Sequence, residues 1–220
     1  MFENFDFSPF DDFHYAMEMF CLEILHQGYE AMRMAKGYDM DWEEDDITAH
    51  YIGFMEKLSI CKEWQIDIIP QFYIYSEKHT SGEIAAKKAP RIDFKFTKWN
   101  KDAKVSYFAE AKNVSEKGWK KKNGTYVSSS YYYNRYIETG ITHLLSGYYP
   151  NTCFLIAYVL NGDKNAILQN LNTKITTDFA TLNYGIITKP IDVPHEEYYI
   201  SENIINEKVI VLKHLFLQLA

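Results

Sequence analysis

The stretch YFAEAKNV, residues 107–114, sets an acid, Glu110, and a base, Lys112, two positions apart in a run that otherwise has the texture of a core strand. Side chains alternate across a strand, so both project from one face, about 7 Å apart by strand rise. Upstream, RIDFKFTKW reads as a second strand, and the turn-rich NKDAK between the two segments makes them a hairpin. Asp93 can then lie beside Glu110 and Lys112. Among Phe94, Phe96, Tyr107 and Phe108, an unpaired charge at that spot would be costly. One chemistry for such a trio is a plain ion pair that contributes little. The other is a pair of carboxylates on adjacent strands that hold a divalent cation through oxygen, with the lysine beside them.

The flanking segments predict what must position these groups. Residues 11–36 carry Phe13, Met17, Phe20, Leu22, Ile24 and Met32 at helical spacing, with Gly37 as the stop. DWEEDDITAHYIGFMEKL begins with acids, as a first helical turn prefers, and continues with Ile47, Tyr51, Phe54 and Leu58 on one side. IDIIPQFYIYSE reads as a strand whose Pro70 suits an edge or an irregularity. After the hairpin come a lysine-bearing loop, SEKGWKKKNG, a helix over YYYNRYIETGITHLLSG, and CFLIAYVL, a continuous apolar run expected as a fully buried strand. A helix in KNAILQNLNTKI, a short strand in YGIITKP and an apolar close in VIVLKHLFLQLA, of undecided type, complete the chain. The order predicts an α/β fold: a mixed central β-sheet flanked by helices, one domain over 1–220, with a helical extension at 1–40 and the core at 41–220.

Asp93 with Pro90 in PRIDF, then Glu110 and Lys112 in AEAK, after an acid-capped helix, resembles the PD-(D/E)XK, or restriction-endonuclease-like, nuclease superfamily. The likeness covers roughly residues 40 to 160; Pro90 stands three residues before Asp93 where the family pattern has it adjacent. The resemblance implies a restriction-endonuclease-like core and Mg²⁺-dependent hydrolysis of DNA phosphodiesters, with Mn²⁺ able to substitute. It implies Asp93 and Glu110 as metal ligands together with the backbone carbonyl of Ala111, and Lys112 as the group serving the attacking water and the phosphate. The helix acid would be Glu43 or Glu44. Glu44 lies three residues before Ile47 and seven before Tyr51, so helical phase turns it inward and selects it.

Around this motif, Lys120, Lys121 and Lys122 in the loop after the Glu-x-Lys strand, and Arg135 one helix later, are the expected phosphate contacts. RYIETGITHLLSGYY is similar to a helix of small bacterial nucleases of phage-defence or mobile-element type, which makes the effector subunit of a defence system the expected setting. A net charge of −7 excludes a protein that coats nucleic acid by charge alone. Targeting is therefore expected from a partner ATPase or DNA-binding subunit, and a homodimer would suit cutting both strands of a duplex. The rival expectation is a catalytically idle immunity or scaffold protein whose acidic, tyrosine-rich surface engages a basic partner. Three widely spaced cysteines read as reduced core thiols, and the acidic start with no spanning run predicts a cytoplasmic chain without a membrane partner. The seven histidines include no pair spaced as zinc ligands on one helix face, and the scattered glycines form no phosphate loop.

Overall fold

The computed structural model describes residues 9–36, 38–100, 103–150, 152–191 and 193–219. The helix stop expected at Gly37 and the hairpin tip at Lys101 and Asp102 lie outside them. The chain order is α1 (Pro9–Ala35), α2 (Glu44–Met55), α3 (Ser59–Glu63), β1 (Asp67–Tyr73), α4 (Glu77–Thr80), β2 (Arg91–Asn100), β3 (Ala103–Ser115), β4 (Trp119–Lys120) and β5 (Tyr126–Val127). It continues with α5 (Ser129–Arg135), a π-helical segment (Tyr136–Ile141), α6 (Thr142–Leu145), β6 (Cys153–Asn161), α7 (Lys164–Thr177), β7 (Tyr198–Ile205) and β8 (Lys208–Gln218).

Six strands form a mixed sheet in the order β1-β2-β3-β6-β8-β7. The β3–β6 and β6–β8 pairs are parallel and the rest antiparallel. β6 stands in the interior because its apolar run can be covered on both faces. Phe154, Ile156, Tyr158 and Leu160 enter one core, and Leu155, Ala157 and Val159 the other. The first core is closed by α1 (Met17, Cys21, Ile24, Leu25) and α2 (Ile47, Tyr51, Met55), with the Tyr51 hydroxyl donating to the Leu25 carbonyl. The second is closed by the α5–α6 stretch (Ile137, Ile141, Leu144) and α7 (Ile167, Leu171, Ile175). Burial of such stripes, at about 25 cal/mol per Å² of apolar surface, fixes which face of each helix looks inward.

β1 is an edge strand, where the N–H that Pro70 lacks costs no ladder bond. Two expectations change, for YGIITKP and the lysine-bearing loop, and the undecided close is settled. YGIITKP contributes only a bridge between Thr188 and Ile200, and the strand in this region is Tyr198–Ile205, whose Ser, Glu and Asn hide its pattern. The apolar close is a strand, β8. The lysine-bearing loop contains a small hairpin, with Trp119 opposite Val127 and Lys120 opposite Tyr126. Among the described residues, no helix is long and apolar enough to cross a membrane.

Candidate active site

The parting of β2 from β3 creates the site. Their ladder runs from Asn100↔Ala103 to Phe94↔Ala109 and stops there, one residue short of Asp93. Along β3 the N–H of Phe108 points at the β6 side, donating to Thr152 (2.8 Å), so by strand alternation those of Ala111 and Asn113 point at β2. With β2 gone, carboxylates replace its carbonyls. The Asp93 Oδ2 accepts from the Ala111 N–H at 2.6 Å, and the Glu44 Oε2, reaching in from the first turn of α2, accepts from the Asn113 N–H at 3.2 Å. A buried N–H must find an acceptor, and here the acceptors are acids.

Lys112 lies at the centre of this arrangement, 3% exposed. Its ammonium donates to Glu110 Oε1 at 2.5 Å, to the Ala111 carbonyl at 2.7 Å and to Glu44 Oε1 at 3.2 Å. Arg135 adds a second cation, 3.5 Å from the same Glu44 oxygen. The Tyr149 hydroxyl, from the segment before β6, donates to Glu110 Oε1 at 3.2 Å. The other Glu110 oxygen, Oε2, is buried with no hydrogen-bond partner. Tyr149→Phe removes one donor from this carboxylate and is expected to cost about 1 kcal/mol of stability. A urea midpoint lowered at unchanged slope would register it, whereas an unmoved midpoint would show that the bond contributes nothing.

Three carboxylates around one buried ammonium leave the charges unbalanced. Burial pushes the Asp93 carboxyl up to about 6, against the pull of the Lys112 ammonium and the Ala111 N–H. It pushes Glu110 further, to about 8, again with Lys112 opposing. On Lys112 burial acts downward, but Glu110, Glu44 and Asp93 together outweigh it and raise its pKa. Asp93, Glu110 and Glu44 do not draw into a group whose ligand atoms lie within 4.8 Å of one another, although the charges of Asp93 and Glu44 still raise the Glu110 carboxyl. The group of three ligand-bearing side chains that draws within 4.8 Å, among the described residues, is elsewhere: His26, His195 and Glu197.

A cleft of about 490 Å³ opens onto Asp93 from the α2 side, lined by Asp45, Thr48, Pro70 and Gln71. Gln71 falls where the β1–β2 register skips a pair, between Pro70↔Phe94 and Phe72↔Ile92, and holds φ +44°, a left-handed conformation that is uncommon outside glycine. The four acids at the start of α2 divide as helical phase dictates. Glu44 turns inward, Asp45 faces Arg91 at 3.3 Å, Asp46 accepts from the Glu43 N–H at 3.1 Å, and the exposed Glu43 pairs with Lys121.

The structure thus brings together Asp93, Glu110, Ala111, Lys112, Glu44 and Arg135. The loop lysines do not join them. Lys121 is held by Glu43, and Lys122 by Asp39 through its ammonium and by Asp41 through its N–H, 2.8 Å. Lys120 is exposed beside a separate groove of about 860 Å³ that includes Arg33 and Trp119. Trp119 stacks on Tyr132, ring centroids 5.6 Å apart. Sequence reasoning missed Tyr149 and the backbone of Asn113 as members of the site; among 18 tyrosines, nothing marked the one beside Glu110.

Comparison of the chain with protein-family models, with curated proteins and with solved structures finds no match. The fold is a mixed α/β sheet with helices on both faces, and the site is a buried cluster of acids and cations at a parting of strands.

Proposed function

We propose that the protein is a metal-dependent nuclease of PD-(D/E)XK type that hydrolyses DNA phosphodiesters, with a restriction-endonuclease-like core. One observation carries the reading. β2 leaves β3 at Asp93, and the acids that take up the freed N–H groups stand against Glu110 and Lys112, on a sheet whose β3–β6 step is parallel. The donor set fits Mg²⁺: Asp93, Glu110 and the Ala111 carbonyl offer only oxygen, and Glu110 Oε2 is a buried acceptor with nothing donating to it. When bound there, Mg²⁺, or Mn²⁺ in its place, lowers the pKa of a coordinated water and offsets charge on the phosphate.

The remaining work belongs to the chain. Lys112, held among three oxygens, can donate to the attacking water and to the phosphate oxygen on which charge builds. It enters the reaction by turning away from the Ala111 carbonyl. Glu44 holds Lys112 and Arg135 near one another, so that two cations face the same phosphate. Tyr149 fixes the Glu110 carboxylate. Targeting by a partner ATPase or DNA-binding subunit in a defence system agrees with the neutralised loop, since Lys121 and Lys122 are committed to Glu43 and Asp39.

Supercoiled plasmid with Mg²⁺ tests the reading. The wild-type protein is expected to nick or linearise it, EDTA to stop the reaction, and Asp93→Asn to slow it by about 10²-fold or more. Equal conversion by wild type and Asp93→Asn, or none by the wild type with either metal across several substrates, leaves the idle immunity or scaffold protein as the better reading.

A further inference from the structure

A second cluster lies at the far edge of the sheet, where α1 passes the turn into β7. Glu23 and His26 stand three residues apart on α1, so one helix face carries both. His195 and Glu197 come from that turn, whose backbone is held by the Tyr198 N–H donating to the His195 carbonyl (3.2 Å) and by the Phe216 N–H of β8 donating to the Glu197 carbonyl (2.8 Å). The Lys189 ammonium binds the same His195 carbonyl. Both halves are therefore set on anchored backbone.

The side chains converge. His26 Nδ1 lies 2.5 Å from Glu197 Oε1, and His195 Nε2 lies 3.7 Å from Glu23 Oε2. The two imidazole rings are 4.4 Å apart, and one ligand atom from each of His26, His195 and Glu197 falls within 4.8 Å of the others. Glu197 is 4% exposed, and Gln27 Nε2 donates to Glu23 Oε1 at 2.6 Å, which aims that carboxylate. We infer that Glu23, His26, His195 and Glu197 form a structural site for a borderline-soft divalent cation of the Zn²⁺ class, clamping α1 to the β7–β8 edge.

The chemistry selects the ion. Two imidazoles this close cannot both carry a proton without repelling each other, whereas a cation takes both lone pairs and balances both carboxylates. Imidazole nitrogen with carboxylate oxygen suits Zn²⁺, while Mg²⁺ prefers oxygen alone. Ligation at about 2.0–2.2 Å sets neighbouring donor atoms about 3.3 Å apart, so His26 and Glu197, now 2.5 Å apart, must separate slightly while His195 and Glu23 move inward, shifts within the reach of rotamer adjustment. Three of the ligands already converge, and Glu23, 3.7 Å from His195 Nε2, would swing in as the fourth to make a closed site, as structural zinc has and hydrolytic zinc does not. The Gln27 hydrogen bond is the kind of outer support that orients a ligating carboxylate. The inference is independent of the nuclease reading, since it uses none of the same side chains.

The test is zinc content and thermal midpoint of the full chain after incubation with Zn²⁺ and gel filtration. The wild type is expected to retain about one zinc per chain and, with free zinc about 100-fold above its dissociation constant, to melt about 5 °C higher. His26→Gln combined with His195→Gln should lose both effects, and Asp93→Asn combined with Glu110→Gln should keep both. Should the histidine variant fail to fold by circular dichroism, Co²⁺ on the wild type decides: an intense tetrahedral visible spectrum supports the site. A weak octahedral spectrum, a wild type without zinc, or a folded histidine variant that still holds one equivalent would each overturn it.

Discussion

Lys112→Ala is expected to cut Mg²⁺-dependent plasmid cleavage by about 10²–10³-fold while leaving metal binding intact or tighter. The ammonium now donates to the Ala111 carbonyl and to Oε1 of Glu110, beside the Oε2 that is free for the cation. Removing it frees those oxygens and takes a positive charge away from the place where another would sit, so Mn²⁺ affinity by calorimetry should hold or rise. What disappears is the donor to the water and to the phosphate. The fold should survive, because burial already raises the Glu110 carboxyl, which without Lys112 stays neutral in the metal-free variant and ionises only as the cation binds. A variant that binds Mn²⁺ and cleaves at the wild-type rate would end the assignment of Lys112, and with it the nuclease reading.

The second large effect is a pH dependence of stability in the metal-free protein. Glu110 titrates near 8 in the fold against an ordinary value of 4.5, and Asp93 near 6 against 3.8, both raised by burial. A carboxyl raised on folding binds more protons in the native state, so its contribution is whole below the unfolded pKa and is lost as pH climbs through the folded one. His214 opposes this lower down. It is buried between Tyr136 and Ser201, burial depresses its pKa from 6.5 to about 3, and its contribution is present only above its ordinary value. The clean window is therefore pH 6.5 to 8, where Glu110 acts without His214.

Across that window the apo protein should lose on the order of 2 kcal/mol, or several degrees of melting temperature. Glu110→Gln should flatten the profile. Saturating Mg²⁺ should flatten it as well, because carboxylates ionised by a bound cation would carry no more protons than those of the unfolded chain across this window. A wild-type profile parallel to that of Glu110→Gln from pH 6.5 to 8 would show that Glu110 is not held neutral by its surroundings.

Much of the frame is written locally. Helical spacing at Met17, Ile24 and Met32 and at Ile47 and Tyr51 predicts α1 and α2, and the unbroken run CFLIAYVL predicts the doubly covered β6, because periodicity and apolar continuity are properties of neighbours along the chain. Glu-x-Lys on one strand, Asp93 on its hairpin partner and the inward phase of Glu44 follow from the same short-range rules. Strand β7 escaped because its hydrogen bonds to β8, not its side-chain pattern, make it a strand.

By itself, then, the sequence determined the α/β class, the principal helices, the hairpin and the grouping of Asp93, Glu110 and Lys112 on it. Only the tertiary structure decided where β2 departs from β3, which lets Asp93 and Glu44 take the Ala111 and Asn113 N–H groups. It also decided that Tyr149 reaches Glu110, that Lys121 and Lys122 are spent on Glu43 and Asp39, and that His26 meets His195 across 169 positions of chain. The physical reason is common to all four: each depends on the distance between segments remote in sequence. That distance is set by how two apolar cores close on the sheet, and residue spacing along the chain carries no record of it.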